Sequence, residues 1–279
     1  MIVLSHFQVR GLLQAHSRGE PIVSISPDLG LTEVNVELDM QEVRFSANVS
    51  INWSDVRLIQ EAENACFLVE SGGVRKIQSF SEANNALYSL YPTRGAPTML
   101  ISGIPMHRIK DTDPYHDTLD KIKAVRPLVG RVLDTATGLG YTAIQSARTA
   151  QQVLTIEIEP CALEVARLNP WSQGLFENPK IEQVLGDSYE IVAELEDASF
   201  SRILHDPPAF NLAGDLYSGV FYHHLHRLLR NGGKLFHYVG DPQSKSGRSI
   251  TAGVIRRLGE AGFQRIERAP KAFGVVAVR

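Results

Sequence analysis

The sequence predicts an α/β protein, with a mostly parallel sheet flanked by helices from Asp117 onward and a smaller α+β region before it. Three observations predict this. Apolar strand-like runs alternate with amphipathic helical stretches through the C-terminal part of the chain. A glycine turn, Gly138-Leu139-Gly140, leads from the first of those strands into a helix. The chain closes on two strands joined by a short turn at Pro270-Lys271, where another strand–helix unit would otherwise stand.

In the first region, IVSISPDLG and LTEVNVEL alternate apolar and polar residues around a Pro-Asp-Leu-Gly turn, so both read as strands. WSDVRLIQEAEN reads as a helix, and CFLVESGGVRKIQSF as a hairpin around Ser71-Gly72-Gly73. EANNALYSLY, preceded by Ser81 as an N-cap, reads as a short helix. The stretch from Pro92 to Pro114 is rich in Pro, Gly and Thr around strand-like TMLISGI. The expected division is therefore 1–92 as an α+β domain, 93–116 as a linker flanking the site, and 117–279 as the main domain.

In that main domain DTLDKIKAVRPL is an amphipathic helix. The buried strands are RVLDTA, VLTIEI, IEQVLGD, SRILHD and KLFHYVG, followed by the pair GFQRIERA and AFGVVAVR. The helices between them are YTAIQSARTA, CALEVARLN, LYSGVFYHHLHRLLR and SITAGVIRRLGEAG. Five strand–helix units and a closing hairpin predict a Rossmann-like sheet of seven strands with the last one antiparallel.

The composition, 43% apolar and 21% charged over 279 residues, suits a globular protein with a full core. No run of roughly eighteen apolar residues predicts a membrane span, and the N-terminus does not read as a secretory signal. Cys66 and Cys161, two thiols far apart, fit a reducing cytoplasm. Residues 1–92 carry six Lys+Arg against eleven Asp+Glu, and residues 93–279 carry twenty-two against twenty. That is not the basic bias of a nucleic-acid binder, although a basic patch assembled in three dimensions is left open. The sequence is also compatible with a homo-oligomer.

Four acids stand at successive strand ends, where open α/β sheets bind ligands. Asp134 precedes the turn formed by Ala136, Gly138 and Gly140, whose missing side chains let the backbone approach a ligand. An acid four residues before the GxG suits a zwitterionic amino-acid moiety better than a dinucleotide, and the segment resembles the first cofactor motif of S-adenosylmethionine-dependent methyltransferases. Glu157, closing VLTIE, is placed for two ribose hydroxyls, with Glu159 in the loop beyond. Asp187, after IEQVLG, is placed for the adenine amino group. Taken singly, each acid reads more readily as a solvated strand-end residue; together they predict a cofactor site.

The fourth acid lies in His205-Asp206-Pro207-Pro208-Ala209-Phe210. This resembles the (Asp/Asn)-Pro-Pro-aromatic motif of methyltransferases acting on amino nitrogens. The resemblance implies that Asp206 and the carbonyl before Pro208 accept hydrogen bonds from the target amine, so that catalysis is chiefly alignment. Ala209 departs from the motif, with Phe210 one position late, which argues against a stacked base. His205 is a candidate proton acceptor or a packed residue. Phe210, Tyr217 and His107 are candidate substrate contacts. His223, His224 and His226 share a helix, but no metal-ligand spacing completes them.

From Met106 to the C-terminus the chain also resembles a group of predicted methyltransferases best known from archaea. The resemblance rests on MHRIKDTDPYHDTLDKIKAV, VLDTATGLGYTAI, VLTIEIEP, LNPWS, GDSYE, HDPPAF, AGDLYSGVFYHHLHRLLRNGG and LFHYVGDP. It implies a class I methyltransferase fold and methyl transfer from S-adenosylmethionine but no known substrate; the net acidic N-terminal region and the missing aromatic directly after Pro208 make a small or peptide-like amine the expected acceptor. The rival readings are an aminopropyltransferase on the same fold, an RNA amino-methyltransferase, and a non-enzymatic cofactor-sensing or RNA-binding module.

Overall fold

The structure is a computed structural model that describes residues 1–210 and 213–279. It divides into two compact units, one formed by 1–115 with 161–173 and the other by 116–160 with 174–279. The expected boundary at residue 92 does not coincide with a unit boundary. Residues 93–115 continue the first unit, because Thr98–Ile101 pairs antiparallel with Ala86–Tyr91.

In the first unit, antiparallel strands Ile22–Ile25, Val34–Leu38, Glu42–Ser46 and Val49–Asn52 form one sheet. A second sheet runs Ile104–Pro105, Thr98–Ile101, Ala86–Tyr91, Gln78–Ser81. The helix expected over EANNALYSLY is thus a hairpin. Asn85 takes a left-handed conformation (φ 48°) that reverses the chain, and the residues after it alternate buried and exposed, a period that suits a strand. Two helices, His6–Ser17 and Trp53–Glu61, bury Val9, Leu12, Val56 and Ile59 against the first sheet's Val36, Val43 and Ile51. The helix His6–Ser17 opens with a reciprocal cap, Ser5 with Gln8. The LNPWS segment also packs here: Asn169 caps a short 3₁₀ turn, Pro170–Ser172, and the Trp171 indole donates to the Leu29 carbonyl at 3.1 Å.

The second unit, among the described residues, is built on a seven-stranded sheet. Its strands are β1 (Arg131–Asp134), β2 (Gln152–Glu157), β3 (Ile181–Leu185), β4 (Phe200–His205), β5 (Leu229–Tyr238), β6 (Gln264–Ala269) and β7 (Gly274–Val278). They lie in the order β3-β2-β1-β4-β5-β7-β6, the first five parallel and β7 antiparallel to both neighbours. This is the predicted Rossmann-like arrangement. Central strands β1 and β4 are nearly all buried, as strands covered on both faces are. Helices α1 (Pro114–Val125), α2 (Tyr141–Ala147), α4 (Gly219–Leu228) and α5 (Lys245–Glu260) follow the expected segments, and α3 (Ser188–Glu194), capped by Asp187, is a further helix that the sequence reading did not place. The helix expected over 216–230 is shorter, because Ser218 caps α4 and Leu229 already belongs to β5. No helix among the described residues is long and apolar enough to cross a membrane.

The chain runs from β1 outward through β2 and β3, then returns to β4 on β1's other side. That reversal opens a crevice beyond the C-terminal ends of β1 and β4, the place where such sheets bind ligands. Asp134 and Asp206 stand on its two sides.

Candidate active site

The turn after β1 is built by its glycines. Gly138 (φ 52°) and Gly140 (φ 76°) both adopt left-handed conformations, and a Cβ on Gly140 would come within 2.7 Å of Leu175. Asp134, the last residue of β1, is fully buried; its Oδ2 accepts from the hydroxyls of Thr142 (2.9 Å) and Thr155 (3.0 Å). Its Oδ1 is buried with no hydrogen-bond partner among the described residues. Burial pushes this carboxyl up to about 7, helped by Asp206 and Glu157 and opposed by the two threonines. A buried carboxylate oxygen without a partner fits an ammonium ligand, which would replace the hydration that burial removes.

Glu157, at the end of β2, turns back to the same loop. Its Oε2 accepts the Gly138 amide at 2.7 Å and its Oε1 the Glu159 amide at 3.0 Å. Burial raises its pKa, and those amides offset part of the shift. Each carboxylate oxygen carries a second lone pair for a ligand hydroxyl. Beside it Ile158 (62% exposed) and Leu185 (55%) present bare apolar surface at the ends of β2 and β3. The sequence reading passed over both; large apolar side chains exposed next to strand-end acids were the available signal. Asp187 already has a structural task, capping α3 through the Tyr189 amide at 2.8 Å. Ala136 lies in the turn between Asp134 and Gly138, half-buried.

The expectation that His205 could act as a base is corrected by its surroundings. The ring is fully buried at the end of β4, with Nε2–H donating to the Leu216 carbonyl (2.9 Å) and Nδ1 accepting from the Thr135 hydroxyl (2.7 Å). Burial pushes its pKa down to about 3, only partly opposed by the Leu216 bond. With both nitrogens engaged and the ring neutral, it is a packed residue that pins the 216–217 segment to β4.

Asp206 makes the contact that the sequence reading missed. Its Oδ2 lies 2.6 Å from Lys121 Nζ, and Lys121 lies 2.8 Å from Asp117, one helical turn back on α1. Lys121 and Asp117 are buried, at 2% and 0% exposed. Burial would lower the Lys121 pKa, but Asp206 and Asp117 outweigh it and hold the ammonium charged above its usual range. A signal was present in the sequence: Asp117 and Lys121 share the face of α1 that also carries the buried Ile122 and Val125. Asp117 and Asp206 thus flank one lysine, while Asp134 and Glu157 act on one another at the neighbouring strand ends.

The remaining candidates divide. The Tyr217 hydroxyl donates to the Pro208 carbonyl at 3.0 Å, and its ring meets Phe210 edge-on at 5.3 Å, so both accompany Pro207 and Pro208. Phe210 is 47% exposed. His107 belongs to the first unit, where its Nδ1 pairs with the Thr98 hydroxyl at 3.0 Å. His224 accepts from Arg227, and His226 packs on Phe263.

No family model matches the chain. It is 44% identical over 231 residues to the uncharacterized protein MJ1233 of Methanocaldococcus jannaschii, covering 82% of this chain and 78% of that protein. The chain belongs to the MJ1233 family. This MJ1233-family chain is also 26% identical over 151 residues to the polyamine aminopropyltransferase of Sulfurisphaera tokodaii, spanning about half of each protein (50% and 49%). Among solved structures it is similar to a spermidine synthase in complex with the transition-state analogue AdoDATO. That likeness has a TM-score of 0.59 at 18% identity and covers 72% of this chain and 71% of the other. Its seven-stranded Rossmann-like sheet matches the fold of that spermidine synthase.

Proposed function

We propose that this protein transfers an alkyl group from an S-adenosyl sulfonium donor to an amino nitrogen, and that the group is methyl. The observation that carries the reading is the pairing of Asp134, with its orphaned buried Oδ1, and Asp206-Pro207-Pro208 across the crevice where the sheet reverses. In this reading Asp134 takes the donor's ammonium, Glu157 its ribose, and Ile158 and Leu185 the flat face of its adenine, near Asp187. Bound there, the donor supplies an electrophilic carbon on a cationic sulfur.

Asp206 accepts an N–H of the acceptor and so aims the nitrogen lone pair at that carbon. The C–N bond forms as the C–S bond breaks, and the product ammonium releases its proton to water. Positive charge moves onto nitrogen during the step, and a fixed carboxylate beside that nitrogen stabilises it. His205 takes no part beyond shaping the segment that carries Tyr217.

For the acceptor we favour a small or peptide-like amine. Its ammonium form is drawn to the acidic crevice and gives a proton to water before the free amine attacks, and residues 1–92, net acidic, oppose a polyanion. Binding to bulk tRNA below micromolar, with affinity falling steeply as salt rises and label appearing in RNA, would replace that acceptor with a nucleic acid. Aminopropyl transfer is the second reading, favoured by the half-length likeness to a polyamine aminopropyltransferase.

One experiment separates the two. The protein is incubated with an amine mixture and either S-adenosylmethionine or its decarboxylated form, and the released thioether is identified. Amine-dependent S-adenosylhomocysteine supports methyl transfer. Methylthioadenosine formed only from the decarboxylated donor establishes the second reading, and neither product overturns alkyl transfer altogether.

A further inference from the structure

Burying Lys121 is costly. An ammonium taken out of water loses several kcal/mol of hydration even after relaxation, and apolar residues of similar volume often give a more stable protein in place of a buried ion pair. Here Nζ sits 2.8 Å from Asp117, 2.6 Å from Asp206 Oδ2 and 4.9 Å from the centre of the Tyr238 ring. Helix α1, the loop after β4 and the end of β5 therefore converge on one cation. The two carboxylates differ: Asp117 is 0% exposed, whereas Asp206 is 21% exposed. Asp134 and Asp206 act on one another as like charges, so a cation is needed to hold Asp206 ionised.

We propose that Lys121 is a positioning residue: it clamps Asp206 through Oδ2 and holds that carboxylate ionised, in one rotamer, toward the reacting amine. The inference rests on the alkyl-transfer reading. Asp117 is the brace, since it fixes Lys121 from one turn away on the same helix and balances part of its charge. An aspartate without such a partner spreads over several rotamers, and a misplacement of about 1 Å in a reacting geometry costs on the order of a hundredfold in rate. The clamp also decides where the proton goes. A proton on Asp206 would leave Lys121 buried against a neutral carboxyl, so Asp206 holds the N–H by a hydrogen bond and water takes the proton.

The test measures transfer by the unaltered protein, Lys121→Met, Lys121→Arg, Asp206→Asn, and Lys121→Met combined with Asp206→Asn, with circular dichroism to check folding. Lys121→Met with Asp117→Asn serves if Lys121→Met alone fails to fold, because it also removes the facing charge. Removing Lys121 is expected to lower kcat about a hundredfold with KM for the donor within about threefold, and Lys121→Arg to recover most of the loss. In the Asp206→Asn background the Lys121→Met change should cost less than about threefold, since no carboxylate remains to be held. A loss under about tenfold in the Asp206 protein, or an equal loss in both backgrounds, overturns the inference and leaves alkyl transfer standing. No transfer by the unaltered protein from either donor overturns the reading, and the inference with it.

Discussion

Glu157 closes the glycine turn at Gly138: the carboxylate at the end of β2 accepts the amide of the loop after β1 at 2.7 Å. One side chain thus shapes the turn and faces the donor's ribose in the proposed reading. Glu157→Ala is expected to weaken S-adenosylhomocysteine binding by about 1.5–3 kcal/mol, as loss of charge-assisted hydrogen bonds does. It should also lower stability by about 1 kcal/mol through the unpaired amide. Calorimetry and urea melts measure the two, and unchanged affinity would make Glu157 purely a loop residue.

Asp134 gives the site a pH dependence of definite sign. Its folded value, about 7, lies above the ordinary aspartate value near ~3.9. Between those values the folded state holds a proton that the unfolded chain lacks, so the contribution is full below about pH 4 and is lost as pH rises through 7. Between pH 5 and 7.5 the ligand-free protein should lose about 2 kcal/mol from this group, at roughly 1.4 kcal/mol per pH unit. Asp134→Asn should flatten that slope in urea melts.

Donor affinity should run the opposite way, because only the ionised Asp134 pairs with an ammonium. Binding of S-adenosylhomocysteine is expected to weaken about twentyfold from pH 7.5 to 5.5 in the unaltered protein and to change little in Asp134→Asn. Equal pH slopes in calorimetric titrations of the two proteins would remove Asp134 from the donor site.

Asp206→Ala should separate chemistry from binding. Turnover is expected to fall about a hundredfold or more as alignment is lost, while donor affinity stays within a few-fold. Equal losses in both would show that the Asp-Pro-Pro segment merely supports the crevice.

Gly140→Ala tests the turn without touching a charge. At φ 76° an L-residue is strained by roughly 1–2 kcal/mol, and the new Cβ would meet buried Leu175. A loss of about 2 kcal/mol or more in thermal or urea melts is expected. A variant as stable as the parent would mean that the loop relaxes freely.

The sequence by itself determined the parallel sheet, its antiparallel closing strand, and the placement of Asp134, Glu157, Asp187 and Asp206 at strand ends. Those features follow from local period and turn chemistry, which neighbouring residues carry along the chain. Only the tertiary structure decided which side chains meet across it. Lys121 and Asp206 are 85 positions apart, and Trp171 reaches Leu29 across 142. No local pattern encodes such a meeting. His205 reads as a titratable base until its burial between Thr135 and Leu216 takes both nitrogens out of play. Residues 82–91 read as helical until pairing with Gln78–Ser81 satisfies their backbone as a strand. In each case desolvation and long-range partners outweighed the intrinsic preference of the residues, and both depend on the folded environment.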